Sequence, residues 1–202
     1  PMRYGDAAIL FRAMSDVDVY EAALRAERVP YLTIAGKGFY ERQEIWDVYC
    51  LLEALYLPAD DLSLATALRS PLFNLSDDAL FALRSVTDQD GRPVSLWEAL
   101  ASVDRVPADE RPQAAFALDT LRRLRAIAGR VQVAELLRVI LETTGYLAVL
   151  TGLPDGARRR ANLEKLVEIA RASRTVTLSA FTQYLKDVTS REVREGEAVL
   201  DA

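Results

Sequence analysis

The spacing of apolar positions changes once along the chain, near residue 41. Before that point, residues 7–12 (AAILFR) form a short apolar run typical of a buried strand, SDVDVYEAALRAE has the helical period, and VPYLTIAG is rich in β-branched and aromatic residues. This order predicts a βαβ crossover in a parallel sheet. Since two strands do not make a stable sheet, we predict an incomplete α/β piece at the start of the chain.

From residue 41 onward the apolar residues recur at the helical period. On the first of these predicted helices, four apolar side chains share one face: Ile45, Val48, Leu52 and Leu55. Later helix ends are marked by N-capping side chains and by a glycine suited to a C-terminus: Ser76, Ser95 with Glu98, and Gly145. We therefore predict a mainly α fold, with a small incomplete α/β (βαβ) piece followed by an irregular all-helical domain and a seam near LPADDLS.

The 202 residues are half hydrophobic and 27% charged, which is enough apolar material for a folded core. The longest apolar runs are far shorter than the roughly 18 residues that a membrane span needs, and the N-terminus lacks the pattern of a signal peptide. We expect a cytoplasmic protein with no membrane partner. Because Pro1 leads almost directly into a strand-like run, we also expect a chain cut from a longer parent.

The chain has one cysteine, Cys50, and no histidine. A single cysteine excludes an internal disulfide and a cysteine-based metal cluster. The absence of histidine excludes Ser-His-Asp and Cys-His catalysis and removes the commonest metal ligand. The paired carboxylates, Asp60–Asp61 and Asp77–Asp78, fall at predicted helix starts, where the helix dipole accounts for them. We predict no catalytic and no metal-binding residues.

The formal charge of −5 argues against a purely electrostatic nucleic-acid binder but is compatible with a local basic face. The densest basic cluster is Arg158 to Arg160, in ARRRAN. Three adjacent arginines cannot all face one way, so they indicate either a solvated loop or a contact with DNA phosphates. In LRRLR, residues 121–125, the leucines are expected to face inward and the arginines outward, as on an ordinary helix surface.

The stretch GKGFYERQEIWDV, residues 36–48, is neither a Walker A loop nor a dinucleotide fingerprint, because the required glycines and hydroxyl residue are missing. Two interpretations stay open. The stretch can be a turn followed by a helix start. It can also be a nucleic-acid contact, since an exposed aromatic pair, Phe39 and Tyr40, beside Arg42 at a helix N-terminus suits a phosphate or a stacked base.

Residues 7–55 resemble the superfamily I DNA helicases of the UvrD/Rep/PcrA type. In that family an [IV]L[YF]R strand leads to a helix-strand unit and then to a GGxxFFxRxEIKD turn and helix, and this chain keeps the order and spacing of the anchors from Leu10 to Asp47. The block LRSPLFNLSDDALFAL resembles LRSPLFGLSDEEL of the AddA-like branch of helicase-nuclease subunits. The final run, LSAFTQYLKDVTSREVREGEAVLDA, looks like the family segment that precedes the motif-V strand.

The resemblance implies a division into subdomains and a set of DNA-binding candidates. Residues 1–57 would be part of subdomain 2A, residues 58–195 the helical subdomain 2B, and residues 196–202 a linker toward motif V. Together with the basic cluster, the candidate DNA contacts are Phe39, Tyr40, Arg42, Ser70, Asn74, Arg158, Arg159 and Arg160. Asn74 stands where the family usually has glycine, and asparagine tolerates left-handed backbone angles. Trp46 replaces the usual lysine of the EIKD block.

The resemblance also implies a parent protein that is an ATP-dependent 3′-to-5′ DNA helicase of repair or recombination, using ATP and Mg²⁺. No complete ATP or nuclease motif lies in this chain, so we expect the fragment alone to bind no cofactor and to be inactive. Expected partners are single-stranded and duplex DNA at a fork, the remainder of the helicase chain and a second helicase-nuclease subunit. The alternative is a helical protein-interaction module that docks a partner subunit, which the acidic net charge favours. A self-contained enzyme is disfavoured, because no catalytic constellation is visible.

Overall fold

A computed structural model describes residues 4–11, 17–31, 39–153, 155–173 and 177–190. Within these ranges the chain is mainly helical, as predicted. The α-helices are α1 (Val17–Ala26), α2 (Gln43–Tyr56), α3 (Asp61–Arg69), α4 (Asp77–Arg84), α5 (Leu96–Ala99), α6 (Arg111–Ile127), α7 (Val133–Thr144), α8 (Tyr146–Thr151), α9 (Gly156–Ala172) and α10 (Leu178–Ser190). Short 3-10 helices lie at Tyr4–Asp6, Phe39–Glu41 and Val103–Arg105.

The predicted βαβ piece is not shown. Residues 7–11 and 29–31 of the two predicted strands are described and have no strand pairing, while residues 12–16 and 32–38 lie outside the described ranges. The β-pairing among the described residues is one isolated antiparallel bridge, Thr87 with Pro93. The physical reason is that a strand gains its ladder hydrogen bonds from neighbouring strands, and the described residues supply none. The helix predicted between the strands does form, as α1.

Helix α2 lies at the centre of the molecule and packs against α3, α6, α9 and α10. The four residues predicted to share its apolar face, Ile45, Val48, Leu52 and Leu55, are all buried. Burying one such side chain contributes roughly 1.5–3 kcal/mol to folding. The core is therefore continuous across the seam predicted near residue 57, since α2 lies before that seam and its packing partners lie after it. The division into helicase subdomains stays a prediction.

The predicted helix ends are confirmed by their capping geometry. The Ser76 side chain accepts a hydrogen bond from the Ala79 N–H at 3.1 Å, at the start of α4. Ser95 and Glu98 form the predicted capping box at α5. Gly145 has a φ of 63° between α7 and α8, a left-handed conformation that glycine adopts without steric cost. Among the described residues, no helix combines the length and apolar character needed to cross a membrane.

Candidate nucleic-acid interface

The aromatic pair of the GKGFYERQEIWDV stretch is buried. Phe39 and Tyr40 are 0% and 3% exposed, and their rings meet edge to face with centroids 5.0 Å apart. The Tyr40 hydroxyl hydrogen-bonds to that of Tyr184 on α10 at 3.1 Å. The Lys165 ammonium lies 4.7 Å from the centre of the Phe39 ring, a cation–π contact.

This burial corrects the expectation of an exposed aromatic pair. The sequence reveals two aromatic residues at a turn, but it does not reveal that α9 and α10 cover them. The accessible ring faces on which base stacking depends are missing here. What the two rings do is fix the 3-10 turn Phe39–Glu41 against the helical body, beside the start of α2. Gly36 to Gly38 lie outside the described residues.

Arg42 occupies the N-cap position of α2 and is half-buried. Its backbone is extended, with φ −67° and ψ 138°. Its carbonyl accepts hydrogen bonds from the N–H groups of Ile45 and Trp46 at 3.0 and 2.9 Å. The start of the helix therefore fixes the backbone of Arg42, to which the guanidinium group is attached.

Glu44, in the first turn of α2, joins that helix to α9. Its side chain is 3% exposed. One carboxylate oxygen accepts a hydrogen bond from Asn162 Nδ2 at 2.8 Å, and the other is 3.2 Å from Arg159 Nη1. Because a buried carboxylate is costly unless it is paired, these contacts fix the spacing between α2 and α9.

Asp47, one turn further along α2, joins it to α8. The Tyr146 hydroxyl donates to one carboxylate oxygen and the Gln43 amide donates to the other, each at 2.6 Å. Burial raises the pKa of the Asp47 carboxyl above its ordinary value, against the opposing effect of these hydrogen bonds. Burial, followed by the adjacent Asp47 charge, raises the pKa of Tyr146 well above its ordinary range. The Tyr146 phenol is therefore a neutral donor.

Sequence reasoning used Glu44 and Asp47 as anchors of a family resemblance but assigned them no role. The local sequence does mark these two carboxylates as unusual. They lie three residues apart on a helix face that is otherwise apolar. That signal indicates buried, paired acids. It does not identify their partners on other helices, which are 99 to 118 positions away in the chain.

The loop SPLFNLS joins α3 to α4. Ser70 is buried, and its hydroxyl donates to the Ala67 carbonyl at 2.8 Å. Asn74 is exposed and has a φ of 55°, so the predicted left-handed backbone is confirmed. A two-point ion pair between Arg69 and Asp77 closes the loop, with N–O distances of 2.6 and 3.2 Å.

The three adjacent arginines point to three different partners, which confirms that they cannot act on one face. The Arg158 guanidinium lies 5.4 Å from the centre of the Tyr31 ring. Arg159 pairs with the buried Glu44. Arg160 pairs with Glu164 on the exposed side of α9 at 2.9 Å. The cluster that looked most like a phosphate-binding unit is thus divided between internal contacts and the surface.

A second basic segment, at the end of α6, keeps its arginines toward solvent. Leu121 and Leu124 are buried, while Arg122 and Arg123 are exposed, as expected for LRRLR. Arg125 differs from an ordinary surface residue. Its Nη1 donates to the Leu55 carbonyl at the end of α2 at 2.6 Å, and its guanidinium lies 5.4 Å from the centre of the Trp97 ring.

Metal and thiol chemistry find no support in the part of the chain that the structure describes. No group of three or more Cys, Asp or Glu side chains there is arranged to hold a metal ion. Burial raises the pKa of the Cys50 thiol to about 12. A thiol held in its neutral form is a poor nucleophile, so Cys50 is a core residue.

Comparison with known proteins identifies a protein family for the part of the chain that contains the GKGFYERQEIWDV stretch and α2. Residues 2–101 match the family of UvrD-like helicase C-terminal domains. This part of the chain therefore belongs to the UvrD-like helicases, as the resemblance in the sequence predicted.

The similarity to individual relatives extends over most of the chain. These relatives are ATP-dependent helicase/nuclease subunits of the AddA type. The chain is 30% identical over 201 residues to that of Leuconostoc mesenteroides, 31% over 186 residues to that of Lactobacillus johnsonii, and 29% over 198 residues to that of Geobacillus kaustophilus. These matches cover 98%, 92% and 95% of this chain but only 16%, 15% and 16% of the relatives. The chain thus spans a small fraction of the length of the curated relatives that it matches.

Proposed function

We propose that this chain is a segment of an ATP-dependent DNA helicase-nuclease subunit, and that its helical body contacts DNA or regulates the motor. The observation that carries this proposal is the similarity to an AddA-type helicase/nuclease over 98% of the chain at 30% identity. The parent protein would act in DNA repair or recombination and move 3′-to-5′ along single-stranded DNA. Its partners would be DNA at a fork, the rest of its own chain and a second helicase-nuclease subunit.

In this proposal the segment lacks the ATP site. ATP and Mg²⁺ would be bound elsewhere in the parent, because the sequence contains no Walker A loop and no histidine-containing motif-V block. The isolated chain is expected to show no DNA-stimulated ATP hydrolysis. A steady-state phosphate-release measurement with and without single-stranded DNA checks this, and significant turnover would contradict it.

We assign residues 1–57 to subdomain 2A, 58–195 to subdomain 2B and 196–202 to the following linker. Three long-range contacts support one refinement: Tyr40 with Tyr184, Glu44 with Arg159, and Asp47 with Tyr146. They tie the turn and α2 to the helices of 2B. Residues 39–56 would therefore move with the helical body, although the family pattern groups them with 2A.

The candidate DNA-binding residues take different roles in this proposal. Phe39 and Tyr40 would orient the turn by packing against the helical body. Arg42 and Asn74 would contact the DNA backbone at the helix start and loop tip. Four further candidates would act by holding these positions or through their remaining exposed atoms: Ser70, Arg158, Arg159 and Arg160.

Fluorescence anisotropy of the chain tests the proposal with a forked DNA, a blunt duplex and a single strand, each at two salt concentrations. Phosphate contacts release counterions, so the affinity should fall steeply as salt rises. Arg42→Ala should weaken binding. Arg171→Ala, on the exposed side of α9, is the matched control and should not. Absence of binding to all three DNAs at low salt would overturn the DNA-contact proposal.

A second function, docking of a partner protein, is favoured by two exposed apolar side chains. Leu62 on α3 and Phe81 on α4 are 78% and 75% exposed, and large exposed apolar side chains can serve as anchors for a partner protein where they form a patch. Under this alternative, Leu62→Ser and Phe81→Ser would leave DNA affinity unchanged but abolish capture of the second helicase-nuclease subunit. A co-purification assay with that partner distinguishes the two functions.

A further inference from the structure

The segment at the end of α6 is basic, although the chain as a whole is acidic. Residues 120–134 contain four arginines and no aspartate or glutamate, in a chain whose formal charge is −5. Arg123 pairs with Asp119 one turn away at 2.8 Å. Arg122 and Arg130 are exposed and have no ion pair with the residues that the structure describes. This end of the helix therefore carries uncompensated charge.

Helical spacing places Arg122 and Arg125 on the same face, one turn apart. The Arg125 guanidinium is already fixed by the Leu55 carbonyl and the Trp97 ring. A guanidinium has five N–H donors, and within the described residues Arg125 uses one of them for a hydrogen bond. A fixed guanidinium with spare donors is well suited to bind a phosphate, since little side-chain entropy remains to be lost.

Arg125 also lines a surface cavity of about 340 Å³ formed by the ends of three helices. Tyr56, at the end of α2, lies on one side and is 51% exposed. The hydroxyl residues Thr177 and Ser179, at the start of α10, lie on another. Gly129 lines the cavity with a φ of 80°, and nothing approaches within 4 Å of the position that a Cβ would take. Among the residues that the structure describes, no acidic side chain lines the cavity.

We propose that this cavity and the end of α6 form a binding site for single-stranded nucleic acid. Arg122, Arg125 and Arg130 would contact successive phosphates, and one unpaired base would enter the cavity against the Tyr56 ring. An exposed aromatic ring beside arginines is the arrangement that binds single strands without sequence preference. A duplex would contact only the arginines of the site, because its paired bases are not free to enter the cavity.

This inference rests on the proposed function and adds a second contact region, at the opposite end of α2 from Arg42. It also reverses the interpretation of two arginine clusters. Arg158 to Arg160 have partners within the protein, whereas Arg125, which the sequence marked as part of an ordinary helix surface, lines an open cavity.

The test is anisotropy with a fluorescent single-stranded oligonucleotide and the whole 202-residue chain. Arg122→Glu with Arg130→Glu should lower the affinity at least about tenfold and reduce the slope of log K against log salt by about 1.4, at about 0.7 per lost phosphate contact. The matched control is Arg138→Glu with Arg171→Glu, which changes the net charge equally on other helices. The control should change the affinity by less than about threefold.

A second pair of variants tests the base contact. Tyr56→Leu should lower single-strand affinity roughly fivefold or more, since stacking is lost. Tyr20→Leu is the control, because Tyr20 is 49% exposed on α1, outside the cavity. The milder Arg122→Gln and Arg130→Gln changes, each checked by thermal unfolding, replace the charge reversals if those destabilise the fold.

The outcomes separate this inference from the function on which it rests. If the unmodified chain binds no DNA, the proposed DNA contact fails and the site fails with it. If the chain binds DNA but the α6 and Tyr56 variants match their controls, only the site is wrong. Loss of duplex affinity without loss of single-strand affinity would also overturn the site as proposed.

Discussion

The Tyr146 hydroxyl donates a hydrogen bond of 2.6 Å to the Asp47 carboxylate, across 99 positions of the chain. Both groups are buried. This bond fixes the position of α2 relative to α8, and it places a carboxylate that the family motif carries inside the protein rather than at its surface. Asp47 is therefore an anchor for the motif and is not itself accessible to a ligand.

Tyr146→Phe should lower the free energy of unfolding by about 1.5–3 kcal/mol, because a buried carboxylate loses one of its two donors. Urea denaturation at neutral pH measures this. Tyr49→Phe is the control: Tyr49 donates to Glu53 within α2 at 3.2 Å and is half-buried, so its loss should cost less than about 1 kcal/mol. Equal effects of the two substitutions would contradict an anchoring role for Tyr146.

The raised pKa of Asp47 predicts a pH dependence of stability with a definite sign. An acid whose pKa is higher in the folded state favours folding when protonated, and this contribution is lost as pH rises through the folded-state pKa. The stability of the unmodified chain relative to Asp47→Asn should therefore fall as pH rises from about 4, the ordinary Asp pKa. Urea denaturation of both proteins at several pH values checks this.

Asp60 provides a control of opposite sign. Hydrogen bonds from the Ser63 hydroxyl and N–H hold the pKa of Asp60 below its ordinary value. Its contribution to stability is present above the ordinary pKa and is lost as pH falls through the folded-state pKa. Relative to Asp60→Asn, the unmodified chain should gain stability as pH rises. If both aspartates show the same sign, burial does not govern the titration of Asp47.

Arg159→Ala should destabilise the chain by about 1–3 kcal/mol, because it removes a charged partner of a buried carboxylate. The adjacent Arg160→Ala should cost less than about 0.5 kcal/mol, since its ion pair with Glu164 is exposed and lies within one helix. The two substitutions delete the same chemical group one residue apart. Thermal unfolding that ranks them equally, or in the reverse order, would show that the Glu44 contact does not hold α2 to α9.

At Asn74, glycine should be tolerated and alanine should not. The φ of 55° costs a residue with a Cβ roughly 1–2 kcal/mol, a cost that asparagine reduces and glycine avoids. Asn74→Ala should therefore be less stable than Asn74→Gly. At Thr143, exposed in α7, the order should be reversed by about 1 kcal/mol in favour of alanine. Melting temperatures of the four variants measure both differences.

Much of the local structure could be predicted because its causes lie within a few residues. The period of Ile45, Val48, Leu52 and Leu55 predicted the buried face of α2, and Ser95 with Glu98 predicted a capping box that forms. The two strands of the predicted βαβ piece depend on more than local sequence. Strands need partners from elsewhere in a sheet, and the described residues contain none.

The candidate site was predicted less well, because its contacts are long-range. Phe39 and Tyr40 were expected to be exposed, and Arg158 to Arg160 formed the most conspicuous basic cluster. The helix packing buried the first pair and gave the three arginines separate partners. No pattern within ten residues of Glu44 indicates that Asn162 will reach it.

The sequence by itself determined the family, the mainly helical character, the helix ends and the left-handed turn at Asn74, since each depends on residue type and short-range spacing. Only the tertiary structure decided which charged and aromatic side chains remain accessible. Accessibility depends on helix contacts between residues that are 99 to 144 positions apart in the chain. In that packing, a buried charge must find a partner, while a charge left at a helix end stays available for a ligand.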